Sequence, residues 1–164
     1  MQGSVQETIA LDPPLHRTLP IRRPYLLLLS LLSITPAAAQ TSADSSAIRA
    51  TALDYVEGWY TGDAERMSRA VHPELVKRIV VTDTVTAKSV LQNMGASALV
   101  NGTRRGYGKS TPKERQRKEV TILDIFGNAA SAKAGMAEWV DYMQLAKIDG
   151  RWVIVNVLWE RRPG

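Results

Sequence analysis

Three polar side chains in this sequence could do chemistry: Asp141 and Asn156, each in otherwise apolar surroundings, and His72. Asp141 lies within the run Trp139-Val-Asp-Tyr-Met-Gln-Leu145. Read as a strand, this run puts Trp139, Asp141, Met143 and Leu145 on one face and Val140, Tyr142 and Gln144 on the other. A carboxylate on an apolar face has to be paired, hydrated or functional, because an isolated buried charge is costly. Asp141 is therefore a candidate general base, or else one half of a structural ion pair or an edge-exposed aspartate. His72 is a candidate acid or base near neutral pH. Equally, His72-Pro73 is a helix stop whose ring bonds to nearby backbone. Asn156 is the polar member of the face formed by Trp152, Ile154 and Leu158 under strict alternation. A buried amide there needs partners, either a ligand carbonyl or heterocycle edge or a neighbouring tyrosine.

The aromatic residues include Tyr55, Trp59, Tyr60, Trp139, Tyr142, Trp152 and Trp159 beside a single phenylalanine. Tyrosine and tryptophan combine a flat apolar body with a polar tip, which suits a pocket for a ring as well as ordinary core packing. Trp59, Trp139, Tyr142 and Asn156 are the candidate ligand contacts. Asp141 and His72 are the catalytic candidates.

Other chemistries find no footing. Without cysteine there is no thiol nucleophile, iron–sulfur cluster or thiolate zinc. No HxH, HExxH or calcium-loop spacing occurs, so neither a metal nor another cofactor is expected. Gly106-Tyr107-Gly108 lacks the preceding strand and following helix of a phosphate-binding loop. Residues 103–117 form a loop in which Arg104, Arg105, Lys109, Lys113, Arg115, Arg117 and the adjoining Lys118 face Glu114 alone. This loop carries the net positive charge. With Tyr107 as its only aromatic it reads as a solvated, mobile loop, not a nucleic-acid surface.

These side chains need elements to position them. Ile48, Ala52, Tyr55, Val56 and Trp59 recur at helical spacing, predicting a helix over 46–61. Gly62 ends it and Asp63 caps a second helix over 64–71. Residues 75–85 read as a short extended or irregular segment. Thr86 caps a third helix over 87–100, with Val90, Leu91, Met94 and Ala98 on one side. Strands follow at 118–126, at 129–148 with a bend at Gly135, and at 151–160. Asp149-Gly150 is the pair that accepts positive φ in a tight hairpin.

The front of the chain reads as an export signal. Arg17, Arg22 and Arg23 precede an apolar stretch over 25–34, Pro36 breaks it, and Ala37, Ala38 and Ala39 supply small residues for cleavage before Gln40. The stretch is too short to span a bilayer, which takes about 20 residues. The domain boundaries are then a signal over 1–39, a flexible polar leader over 40–46, one domain over 47–160 and a tail over 161–164. The protein is expected in the periplasm or outside the cell, with no stable membrane anchor after cleavage.

Several runs resemble one family in order and content: Tyr55-Val-Glu-Gly-Trp-Tyr-Thr-Gly-Asp63, His72-Pro73, Ile122-Leu-Asp-Ile-Phe-Gly-Asn-Ala-Ala130, Asp141-Tyr-Met-Gln-Leu145 and Lys147-Ile-Asp-Gly-Arg-Trp-Val-Ile-Val-Asn156. They resemble the nuclear transport factor 2-like (NTF2-like) superfamily, and within it the putative lumazine-binding protein family. The resemblance implies an α+β fold, a cone-like curved antiparallel sheet packed against three N-terminal helices, with a pocket between them. It also implies a scaffold that hosts binders, proton-transfer enzymes and dimerisation modules.

The function expected is an exported small-molecule-binding domain. The alternatives are an isomerase, dehydratase or cyclase using Asp141 or His72 as base, with a tyrosine or Asn156 polarising a carbonyl, and a non-catalytic dimerisation module. Residues 151–160 are apolar on both faces, and three helices cover only one face of such a sheet. A homodimer through the open face is therefore expected.

Overall fold

The computed structural model describes residues 37–163. The basic and apolar stretch of the expected export signal lies outside the described residues. Helix α1 spans Ala37–Thr61, so residues 40–46, expected as a flexible leader, are helical. Asp44 anchors this first part: its Oδ1 accepts from Trp152 Nε1 at 2.9 Å and from Lys147 Nζ at 2.8 Å. Ile48, Ala52, Tyr55 and Val56 form the expected buried stripe. Gly62 turns the chain at φ +73°, and Asp63 Oδ1 accepts from the Arg66 backbone N–H at 2.9 Å. Helix α2, Ala64–Ala70, buries Met67 and Ala70.

The next stretch departs from expectation. Residues 71–82 form a full strand, β1 (Val71–Thr82). A tight turn follows. Asp83 Oδ1 accepts from the backbone of Val85 and Thr86, and Ala87 takes φ +56°. Strand β2 (Ser89–Gly95) then runs back along β1, and helix α3 (Ala96–Arg104) begins only afterwards. The expected helix over 87–100 is thus a strand followed by a helix. Val90, Leu91 and Met94 fit a helical stripe in spacing alone. In the fold they sit on an edge strand exposed along its whole length.

Strands β3 (Glu119–Phe126), β4 (Ala129–Gly135), β5 (Trp139–Ile148) and β6 (Arg151–Arg161) complete the sheet. Its order is β2-β1-β6-β5-β4-β3. All pairs are antiparallel except β1–β6, which is parallel, so the sheet is mixed where a purely antiparallel one was expected. A parallel neighbour needs a long crossover, and the chain between Thr82 and Arg151 supplies it. The expected long bent strand over 129–148 is a hairpin. Met136 N–H donates to Trp139 O at 2.9 Å, and the turn through Ala137 and Glu138 carries no glycine or proline to announce it. The β5–β6 turn is Asp149-Gly150 as expected, with φ +49° and +77°.

One irregularity decides the site. Gln144 pairs with Asn156 but Leu145 pairs with Ile154, leaving Val155 as an extra residue, a β-bulge. The bulge resets alternation in β6. Trp152, Ile154, Val157 and Trp159 face the helices, and Asn156 and Leu158 do not. The core they join includes Ile48, Val56, Met67, Leu75, Met143 and Leu145.

Candidate functional site

Between α1, α3 and the inner face of the sheet lies a cavity of about 140 Å³. Its walls are aromatic and aliphatic: Trp59 from α1, Trp139 from β5, Trp159 from β6, with Met94, Leu99 and Met136. The three tryptophans form an edge-to-face row. Trp59 and Trp139 have ring centres 5.9 Å apart at 78°, and Trp139 and Trp159 6.1 Å apart at 71°. Such pairs favour this geometry because the ring edge is positive and the face negative.

The polar end is built from Lys77 on β1, Asp141 on β5 and Tyr55 on α1. Lys77 Nζ donates to Asp141 Oδ1 at 2.5 Å and to the Tyr55 hydroxyl at 2.6 Å. The ammonium also lies over two rings, 5.3 Å from the centre of Tyr55 and 5.0 Å from that of Trp159. Lys77 is 7% exposed and Asp141 fully buried. Burial lowers the pKa of Lys77 while Asp141 pulls it back up. Burial pushes the Tyr55 phenol well above its usual range, and the Asp141 charge adds to this. Among the described residues Asp141 Oδ2 has no hydrogen-bond partner. The cluster is therefore a buried ion pair with one acceptor left over, seated at the edge of an apolar space.

The fold brings Trp59, Trp139 and Asp141 together here. Tyr142 and Asn156 lie on the opposite face of the sheet. Tyr142 follows from simple alternation, and Asn156 is turned outward by the bulge. There Asn156 Oδ1 accepts from Arg78 and its amide donates to Gln144 at 3.1 Å. His72, at the start of β1, is not among the cavity-lining residues. Its Nδ1 accepts from the Glu74 backbone N–H at 3.2 Å, a local turn contact.

Sequence reasoning missed Lys77. A signal existed: Leu75-Val-Lys-Arg-Ile79 alternates, and it places Lys77 between two core residues. The basic segment after α3 is also more structured than expected. It folds into two short 3₁₀ turns, Tyr107–Ser110 and Lys113–Arg115, and buries Gly108 and Thr111. Gly108 packs against Trp59 so closely that a Cβ there would fall 2.2 Å from the Trp59 carbonyl and 2.6 Å from its indole nitrogen. This segment thus holds the first tryptophan of the row in place.

Among the described residues, no helix is long and apolar enough to cross a membrane. Residues 43–160 match the family described as putative lumazine-binding. Among curated proteins none matches the chain. Solved structures similar to it include an NTF2-like protein of unknown function from Shewanella baltica, at 22% identity and TM-score 0.56, covering 75% of this chain and 97% of that one. Another, from Methylobacillus flagellatus, is 23% identical with TM-score 0.56, covering 74% and 94%. An NTF2-like protein with a cystatin-like fold from Novosphingobium aromaticivorans reaches TM-score 0.60 at 14% identity, covering 83% and 93%. At these identities the likeness establishes the fold.

Proposed function

The chain belongs to the family described as putative lumazine-binding, within the NTF2-like superfamily, and from that membership and its cavity we propose that it binds a small molecule. The observation that carries this reading is the tryptophan-walled cavity closed at one end by Lys77 and Tyr55, with Asp141 bonded to Lys77 behind them. Lys77 and Asp141 neutralise each other. A charged ligand would bring an unbalanced charge into an apolar space, which is costly. The ligand is accordingly neutral, flat and largely apolar, with one acceptor such as a carbonyl at the polar end. A cavity of about 150 Å³ takes a benzene-sized ring, close to the volume here. Met94, which is 39% exposed, lies where the cavity meets solvent.

Titration of the tryptophan fluorescence with toluene, benzaldehyde and lumazine tests this. Toluene and benzaldehyde are expected to give saturable changes. Lumazine, with more polar groups than the cavity can partner, is expected to bind more weakly. No saturable change with any of the three ends the reading.

We also propose that the domain is exported by its first 39 residues and that two copies pair across the outer face of the sheet. Tyr142, Leu158 and Val80 support the pairing, being large apolar side chains 50%, 47% and 46% exposed on that face. Finding residues 20–39 intact in a cytosolic pool by mass spectrometry would rule out export. A clean monomer in sedimentation equilibrium at micromolar concentration would rule out pairing.

A further inference from the structure

Building on the binding reading above, we propose that Lys77 captures the carbonyl group of an aldehyde or ketone ligand as a reversible imine. Lys77 is the one buried lysine among the described residues; Lys88, Lys109, Lys113 and Lys118 are exposed, and Lys133 and Lys147 half-buried. Among the described residues its amine is the only one lining the cavity. Two of its three hydrogens are engaged, by Asp141 Oδ1 and the Tyr55 hydroxyl. The third is left for the space between the Tyr55 and Trp159 rings. A lysine set in an apolar pocket is the usual way a protein makes an amine nucleophilic.

The neighbours supply the proton transfers. The Lys77 ammonium gives a proton to the Asp141 carboxylate, whose Oδ2 has no other partner. The neutral amine adds to the carbonyl carbon. A C–N bond forms, and the carbonyl π pair moves to oxygen, which takes a proton from Tyr55, the phenol being resupplied by the protonated Asp141 beside it. Loss of that oxygen as water, after a second proton reaches it from the nitrogen through the same two groups, leaves a protonated imine. The sum is carbonyl plus ammonium giving iminium plus water, with no oxidant or reductant and no net proton exchanged. The positive charge stays on the same nitrogen, so the ion pair with Asp141 persists through capture. Burial, which lowers the pKa of Lys77, makes the neutral amine easier to reach than in an exposed lysine.

The test is reductive trapping on the native protein. Incubation with benzaldehyde and sodium cyanoborohydride at neutral pH, followed by peptide mapping, should place a single benzyl group on Lys77, with the exposed lysines unlabelled at the same dose. Excess toluene should suppress the label. A Lys77→Arg variant that keeps its circular dichroism and its toluene binding should lose it. Mapping of the unmutated chain locates the adduct directly, so the result does not hang on that variant folding. Saturable binding of benzaldehyde without a Lys77 adduct overturns the imine and leaves the binding reading standing. Labelling confined to exposed lysines also overturns it. Neither binding nor adduct overturns both.

Discussion

Strand β5 carries a lysine–aspartate pair near each end, and the two differ in a way that separates scaffold from site. Near the Asp149-Gly150 turn, Lys147 meets Asp44 of α1 at 2.8 Å, with side chains 21% and 11% exposed. The same carboxylate takes the Trp152 indole N–H. This pair ties the first turns of α1 to the β5–β6 hairpin, and its lysine is partly open to solvent. Toward the other end, Asp141 meets Lys77 at 2.5 Å, with exposures of 0% and 8%. Here one carboxylate oxygen has no partner, and the amine borders a cavity. Distance alone would rank the two as equivalent. What divides them is desolvation, and whether every polar atom is already used.

The sharpest break of the contrast is a single substitution at the buried pair. Lys77→Met or Asp141→Leu alone should cost about 3–5 kcal/mol, because each strands its partner's charge in the interior. The double substitution should recover most of that loss, since a buried pair and an apolar pair of similar volume are often close in stability. Urea denaturation of the three variants gives the answer. Single costs below about 1 kcal/mol would make this pair a solvated one like its counterpart.

Trp152→Ala should cost about 3–5 kcal/mol, the range for deleting a large buried aromatic. The residue is 4% exposed and also loses its bond to Asp44. An unchanged urea midpoint would mean that the scaffold end of the hairpin does not depend on it. Gly108→Ala should cost about 1–3 kcal/mol by overpacking, because the new methyl meets the Trp59 backbone. Benzaldehyde affinity should fall with it as Trp59 shifts; a stable variant with unaltered affinity would show that Trp59 is held from elsewhere. The smallest effect is expected from Lys147→Met, about 1 kcal/mol by the same denaturation, because the lysine is partly exposed and the Trp152 N–H still serves Asp44.

Much of this was legible in the chain before folding, and the failures share a cause. The helical stripe from Ile48 to Trp59, the Asp63 cap and the Asp149-Gly150 turn are local signals, and each appears where expected. The face of Asp141 followed from plain alternation within one uninterrupted strand. The misread segments depend on partners distant in sequence. Strand β2 lies on an edge and is exposed at every position, so Val90, Leu91 and Met94 carry no period-2 signal to set against their helical spacing. The β4–β5 turn has no residue needing an unusual backbone. Lys77 was missed because a lysine is normally read as surface, and only its pairing with a carboxylate 64 positions away makes burial tolerable. Alternation places Asn156 on the inner face because nothing in its neighbourhood announces a bulge.

That bulge has a genetic consequence. Strand β6 holds one residue more than its pairing with β5 uses, so codons along it are unequal to deletion. Removing Val155 would regularise the ladder and leave Trp152, Ile154, Val157 and Trp159 facing inward. Removing Leu158, three positions on, would carry Trp159 to the outside and turn Glu160 toward the tryptophan row. Two in-frame losses of one codon each, in the same strand, would have opposite fates, one nearly silent and the other erasing the cavity.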